Sequence, residues 1–115
     1  MKFDHIGLIT DQKKGDEIFI KSTRVWVTDY TKHPYRVEWL RYEPDSPVKG
    51  SVREKPHIAF EVDDLEKASR GLKVLLEPFE SVPGVRVGFY ECDDGAVVEL
   101  MRYLKWIKLK ELLKH

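Results

Sequence analysis

The sequence has a single cysteine, no net charge and no long apolar run, and each of these absences excludes a class of protein. Cys92 alone cannot form an intrachain disulfide or a cysteine-based zinc cluster, which favours a reducing compartment. Basic and acidic residues number 20 each, so no net field attracts nucleic acid or anionic lipid. No segment has the length of a membrane span, and the first residues lack the apolar core of a signal peptide. We therefore expect a cytoplasmic protein that binds neither nucleic acid nor a membrane.

The 115 residues, 42% of them hydrophobic, are enough for one compact domain with one modest core. Two prolines and a glycine within residues 43–51 end a first part, 1–47, and residues 48–55 are predicted to link it to a second part, 56–103. Residues 104–115 are predicted to form a C-terminal helix with Trp106, Leu109 and Leu113 on one face. Its lysines indicate either a solvated face or a patch for a membrane or nucleic acid, and the absence of net charge favours the solvated face.

Two short motifs occur twice in the same order. Residues 5–8 (HIGL) return as residues 57–60 (HIAF), and residues 37–42 (VEWLRY) return as residues 98–103 (VELMRY). Two copies of one supersecondary unit imply a pseudo-twofold arrangement that can bring equivalent residues together at its axis. The recurring polar residues are His5, Glu38, His57 and Glu99, whose side chains are of the types that bind a divalent metal.

The two halves differ in one predicted element. Strands are predicted over residues 3–9, 24–28, 35–43, 57–62, 74–76, 85–92 and 97–103, with a hairpin turn at residues 93–95. In the second half, Asp63 and Glu66 form a predicted capping box for a helix that Gly71 ends. The interval from His5 to Glu38 is nine residues shorter than that from His57 to Glu99, and residues 11–17 have no apolar stripe. We therefore expect the first half to lack its helix.

Without that helix, one flank of the first half would be uncovered. The residues on it are Ile6, Leu8, Val37 and Trp39, and an apolar patch of this size needs cover. We expect either the C-terminal helix or a second copy of the chain, in a homodimer, to supply it.

The four candidate ligands lie on one kind of strand face. Because side chains alternate along a strand, His5 is predicted to share a face with Phe3 and Gly7, opposite the apolar Ile6 and Leu8. Glu38, His57 and Glu99 likewise lie opposite the apolar face of their strands. A single strand histidine or glutamate is more often a structural or solvated residue than a ligand. Four at equivalent positions favour a metal site, and solvated or salt-bridged side chains are the alternative.

On these motifs the chain resembles the vicinal oxygen chelate superfamily, which includes glyoxalase I, methylmalonyl-CoA epimerase, extradiol dioxygenases and the fosfomycin and bleomycin resistance proteins. The resemblance covers residues 2–103 and rests on residues 3–8, 56–64, 37–42 and 97–103. It implies an α+β fold in which paired βαβββ modules form a half-open barrel, with metal ligands on the first and last strand of each module. On that pattern His5, Glu38, His57 and Glu99 are the ligand set.

The resemblance also implies a chemistry. One divalent ion (zinc, nickel, manganese, cobalt or iron) would stabilise an enolate of a small metabolite with two adjacent oxygens, and a glutamate would act as the base. The candidates for that base are Glu99, Glu38 and Glu61, although a strand residue such as Glu61 is more often solvated.

Three further residues are predicted to contact the substrate. Arg36 could hold a carboxylate or phosphate, or form a salt bridge along the sheet. Tyr42 and Met101 share the faces of Glu38 and Glu99, so we expect them to line the substrate site.

Three functions remain open from the sequence. The leading expectation is a metal-dependent lyase or isomerase of the glyoxalase type. A ligand set of two histidines and two carboxylates disfavours an iron dioxygenase, which uses two histidines and one carboxylate, and a bleomycin-sequestering protein, which lacks the ligands. The alternatives are a non-catalytic binding protein of the same fold and a partner subunit of a larger enzyme.

Overall fold

A computed structural model describes residues 1–104, so residues 105–115 of the predicted C-terminal helix lie outside the described residues. Within that range the fold is α+β: a curled, mixed sheet of eight strands forms a half-barrel with two short α-helices. The strands are β1 Lys2–Ile9, β2 Glu17–Ile20, β3 Val25–Thr28, β4 Val37–Tyr42, β5 His57–Glu61, β6 Lys73–Val82, β7 Val85–Glu91 and β8 Val97–Tyr103. The helices are α1 Ser51–Glu54 and α2 Leu65–Ser69, and a 3-10 turn covers Tyr30–Lys32.

Strands β1 and β5 form the centre of the sheet. The strand order is β2-β3-β4-β1-β5-β8-β7-β6, with β1 and β5 antiparallel to one another. Each central strand pairs in parallel with the last strand of its own half, β1 with β4 and β5 with β8. The four strands that carry His5, Glu38, His57 and Glu99 are therefore adjacent.

The first half has no helix between β1 and β2, as the sequence predicts, but it has a strand that the sequence analysis missed. That strand, β2, pairs antiparallel with β3 at the edge of the sheet. Its four residues include two charged or exposed positions, Glu17 and the 59% exposed Ile18. So short an edge strand has too little apolar alternation to be recognised from its sequence.

The predicted linker is part of the core. Helix α1 lies within residues 48–55, and both Val48 and Val52 are buried, in a cluster that includes Val87 and Met101. A single helical turn with two apolar residues carries no periodic signal, and its stability comes from tertiary packing.

The second helix begins one residue later than predicted. Asp64 is the N-cap of α2, and its side chain accepts a hydrogen bond from the Lys67 backbone N–H at 3.0 Å. The capping box of Asp63 with Glu66 is therefore wrong, because either of two adjacent aspartates suits the N-cap and packing of Leu65 selects the second. Gly71, with φ +82°, follows the helix end and the predicted hairpin joins β7 to β8.

A β-bulge in β1 changes which side chains share a face. Phe3 pairs with Phe60 and His5 pairs with Ala59, so β1 has one extra residue, Asp4, at this point. Strict alternation therefore fails, and the prediction that Phe3 shares the face of His5 is wrong. Phe3 instead contacts Phe60 edge to face at 6.3 Å and is 44% exposed, whereas Asp4 is buried. Bulges of this kind redirect a side chain next to a functional site.

An ion pair ties the edge strand to the sheet. Arg41 of β4 donates two hydrogen bonds to Glu17 of β2, at 2.7 and 2.9 Å, and its guanidinium lies over the Trp26 ring. The hydrogen bonds from Arg41 hold the pKa of Glu17 below its ordinary value, although burial opposes this effect.

We expect Glu17→Gln to destabilise the protein in a pH-dependent way. A carboxylate whose pKa is depressed by folding contributes stability above its unfolded pKa and loses it as the pH falls through the folded pKa. The variant should therefore unfold at lower urea concentration than the parent at roughly pH 7, with a smaller difference at roughly pH 3. Glu77→Gln, at an exposed position of β6, is the matched control. An equal difference at both pH values would show that the ionised carboxylate is not the cause.

None of the helices within residues 1–104 has the length and apolar character needed to cross a membrane.

Candidate metal centre

The strand register brings the four predicted ligands together. Gly7 of β1 pairs with Glu38 on one side and with His57 on the other. Ala59 of β5 pairs with His5 and with Glu99 in the same way. Gly7 and Ala59 thus each lie between two of the four predicted ligands. Because both residues are small, they leave room above the sheet for the four larger side chains to converge.

The ligand atoms of these four side chains all lie within 4.8 Å of one another. His57 Nε2 is 3.1 Å from Glu99 Oε1 and 3.9 Å from Glu38 Oε1. His5 Nε2 is 3.3 Å from Glu99 Oε1 and 3.4 Å from Glu38 Oε1. Donor atoms bound to one ion at about 2.1 Å are separated by roughly 3 to 4 Å, so the cluster has the spacing of a metal site.

Two orphaned nitrogens support the fit of a metal. Nε2 of His5 and Nε2 of His57 are buried and have no hydrogen-bond partner among residues 1–104. A buried polar atom without a partner costs free energy, so such atoms call for an explanation. Both nitrogens face the two carboxylates, where a divalent ion bound by all four side chains would satisfy them. The residues present therefore fit a metal. The cluster agrees with the prediction that these four side chains form a site for a divalent ion.

The bulged residue Asp4 orients His5. Asp4 Oδ2 accepts a hydrogen bond from Nδ1 of His5 at 2.6 Å, which directs the lone pair of Nε2 toward the cluster. Tyr103 donates to the other carboxylate oxygen of Asp4 at 3.0 Å and its hydroxyl also contacts that of Tyr30 at 2.8 Å. The Tyr30 ring in turn stacks on the His5 ring at 4.0 Å. A carboxylate behind a histidine in this way fixes the tautomer and the ring orientation of a metal ligand.

The cluster has an excess of negative charge. Burial lowers the pKa of His5, but the carboxylates of Asp4, Glu38 and Glu99 around it outweigh burial and raise the pKa to about 11. Burial raises the pKa of Glu99, but His5 and His57 outweigh it and lower the pKa below its ordinary value. The carboxylates around the two histidines therefore favour a positive charge in the cluster. A divalent cation would supply that charge.

We expect Asp4→Asn to weaken metal binding without removing it. Removal of a partner that orients a metal-bound histidine typically costs about 10- to 100-fold in affinity. Titration of the metal-free variant with zinc measures this loss, and Asp45→Asn, which alters an exposed ion pair with Arg24, is the control. Zinc affinity equal to that of the parent protein would show that Asp4 does not position His5.

The two histidines have different surroundings. Pro56 precedes His57 as Asp4 precedes His5, but proline has no carboxylate. Nδ1 of His57 accordingly has no hydrogen-bond partner among the described residues. Instead the His57 ring is fixed by packing. It meets the Phe89 ring edge to face at 5.1 Å, and it covers Gly7 so closely that a Cβ there would lie 2.1 Å from His57 Cε1.

The remaining predicted site residues fall into two groups. Tyr42 and Met101 line the central cavity beside the cluster, as expected for substrate-contacting residues. Burial, together with the nearby Glu38 and Glu99, raises the pKa of Tyr42, which keeps it a neutral hydrogen-bond donor.

Arg36 and Glu61 do not line that cavity. Arg36 donates to the backbone carbonyl of Asp4 and lies 3.6 Å from its carboxylate, which is the salt bridge that the sequence left open as the alternative. Glu61 lies at the end of β5 and lines a separate surface depression with Lys2 and Val62.

Sequence reasoning missed Asp4, Tyr30 and Tyr103 as supports of the site. Asp4 precedes His5 in the sequence, so strict alternation places it on the opposite face, and only the bulge reverses this. Gly7 has a signal in the sequence, because it occupies the position that Ala59 has in the second copy.

No family model matches the chain, and no curated protein matches it.

Proposed function

We propose that the chain is a divalent-metal-dependent lyase or isomerase of the glyoxalase type, acting on a small molecule with two adjacent oxygens. The observation that carries the proposal is the convergence of two histidines and two glutamates, with orphaned nitrogens, on a cavity. The set is His5, Glu38, His57 and Glu99. A buried cluster of this composition beside a pocket is the usual mark of a functional site.

We propose also that the chain belongs to the vicinal oxygen chelate superfamily. Support comes from the order of elements in the second half, a strand, a helix and three strands, and from the first half, which has four strands in the same order. Across the sheet the strand order of one half is the reverse of the other, as a twofold relation between two modules requires.

Within this proposal Glu38 is the base. A divalent ion held by the four side chains would supply a Lewis acid that stabilises negative charge on a substrate oxygen. Glu38 is the most exposed of the four, with 12% of its side chain accessible, and it lines the cavity. Its carboxylate takes the proton from the carbon next to the substrate carbonyl, and the C–H electron pair moves toward the carbonyl oxygen. Return of the proton to the same or the adjacent carbon completes an epimerisation or isomerisation.

We propose a different role for Glu99. It lies 3.1 Å from His57 and 3.3 Å from His5, closer to both nitrogens than Glu38 at 3.9 and 3.4 Å. Glu99 therefore remains a ligand while Glu38 moves the proton.

Exchange of a carbon-bound proton with solvent tests the proposal. The protein is loaded with zinc, nickel, manganese or cobalt and incubated in D2O with 2-hydroxyketones, and NMR follows the proton next to the carbonyl. We expect loss of that signal at a rate above that of the metal-free protein. Absence of exchange with every metal and every ketone, at full metal occupancy, would favour a binding protein.

A non-catalytic binding protein of this fold is the second candidate. The observation that favours it is the composition of the cavity wall, which is mostly apolar and suited to holding a ligand without turnover.

A further inference from the structure

The cavity beside the cluster has a polar inner end and an apolar wall. It has a volume of about 280 Å³, enough for a small organic molecule. His5, Glu38 and Glu99 line its inner, buried end, whereas Ile18 and Val82, which are 59% and 39% exposed, line its outer end. Ile18 of β2 and Val82 of β6 therefore lie where this wall of the cavity meets solvent.

Between these two ends the wall is formed by aliphatic and aromatic side chains. They include Val27, Leu40, Leu76, Phe79 and Val87. An apolar group placed against such a wall gains the free energy of leaving water, whereas a charged group would lose its hydration without compensation.

Within the described part of the chain, the cavity lining contains no lysine and no arginine. Its charged members are the carboxylates Asp29, Glu38 and Glu99, together with His5. Asp29 already accepts hydrogen bonds from Thr31, at the edge of the cavity. Arg36, the one candidate for binding a substrate carboxylate or phosphate, lies outside the lining beside Asp4. A second anionic group on the ligand, away from the cluster, would therefore have no lysine or arginine of the lining to pair with.

We infer that the ligand of this site carries its adjacent oxygens at one end of an otherwise uncharged, apolar body, either an alkyl chain or an aryl group. The oxygen pair lies at the four-residue cluster and the body lies along the apolar wall toward Ile18. The position of the oxygen pair at the metal rests on the proposed function. The apolar body of the ligand rests only on the composition of the cavity wall.

Three hydroxamates test the inference on zinc-loaded protein, because a hydroxamate presents two adjacent oxygens to a metal. Acetohydroxamate has only the oxygen pair, octanohydroxamate adds six methylenes, and octanedioic monohydroxamate adds a similar chain that ends in a carboxylate. Each buried methylene is worth about fourfold in affinity, and ordering of the chain reduces the total. We expect octanohydroxamate to bind about a hundredfold more tightly than acetohydroxamate, and the dioic analogue to lose most of that gain.

A variant with a positive charge at the outer end of the cavity tests where the chain of the ligand lies. Ile18→Lys lies on an exposed edge strand, where lysine is well tolerated. It should weaken binding of octanohydroxamate and strengthen binding of the dioic analogue, each by about tenfold. Val74→Lys, at a 45% exposed position that does not line the cavity, is the matched control and should change neither.

The outcomes separate this inference from the proposed function. Full zinc loading with equal affinity for the acetyl and octanoyl probes would overturn the inference and leave the metal enzyme intact. Failure of zinc to bind would overturn the proposed function instead. In that case the uncharged fluorescent probe N-phenyl-1-naphthylamine tests the wall in the metal-free protein. Binding that Ile18→Lys weakens and Val74→Lys does not would support the apolar site, and no binding would overturn it.

Discussion

Replacement of Gly7 by alanine is expected to weaken metal binding severely, although the new side chain is only a methyl group. The added Cβ would lie 2.1 Å from His57 Cε1 and 2.4 Å from His57 Nε2, far inside van der Waals contact. The obstruction comes from a ligand ring, so the strain is relieved by moving that ring. Because Phe89 packs against the His57 ring edge to face, the ring has no small adjustment that keeps Nε2 near the cluster.

We expect the zinc affinity of Gly7→Ala to fall by more than about 100-fold, since loss of one ligand costs more than loss of a supporting hydrogen bond. Isothermal titration of metal-free protein measures this. Gly15→Ala is the matched control, because a Cβ at Gly15 meets no atom within 4 Å. If Gly7→Ala bound zinc as tightly as the parent protein, the His57 ring would not be a ligand in the position described.

The second large effect is expected for Glu38→Gln. The amide keeps an oxygen that can face the metal, but it cannot accept a proton from the substrate. Loss of a positioned base typically reduces the rate about 10²- to 10⁴-fold. We therefore expect solvent exchange of the 2-hydroxyketone proton to fall by that factor in a variant that still binds metal, with zinc content measured on the same sample.

Glu61→Gln is the matched control for this variant. Glu61 lies on β5 with His57 but lines a different depression, so the exchange rate should be unchanged. A fall in rate with Glu61→Gln and a normal rate with Glu38→Gln would transfer the role of base to Glu61.

The four side chains of the cluster were predictable because their position depends on residue type and on strand alternation. Glu38 and Glu99 occupy equivalent places in two similar strands, and in both strands the apolar residues alternate with them. Parallel pairing of β1 with β4 and of β5 with β8 then brings the glutamates beside the histidines. These are regular features of a sheet, and a sequence encodes them directly.

The supports of the site were not predictable, because they depend on irregular features and on tertiary packing. The bulge at Asp4 is one inserted residue, and nothing in the local sequence distinguishes it from regular strand. The contact of Gly7 with the His57 ring joins residues that are distant in the sequence. Helix α1 and strand β2 were missed for a related reason, since four residues contain too few periods for a pattern.

The metal content of the purified protein shows directly whether the four-residue cluster binds an ion. The protein is purified without chelator, incubated with zinc, nickel, manganese, cobalt or iron, freed of unbound ions, and analysed together with His5→Ala and Glu99→Ala. We predict close to one ion per chain in the parent protein and loss of that ion in both variants, since each removes one of four converging ligands. Absence of bound metal in the parent after every addition, or equal metal content in parent and variants, would contradict the metal centre described here.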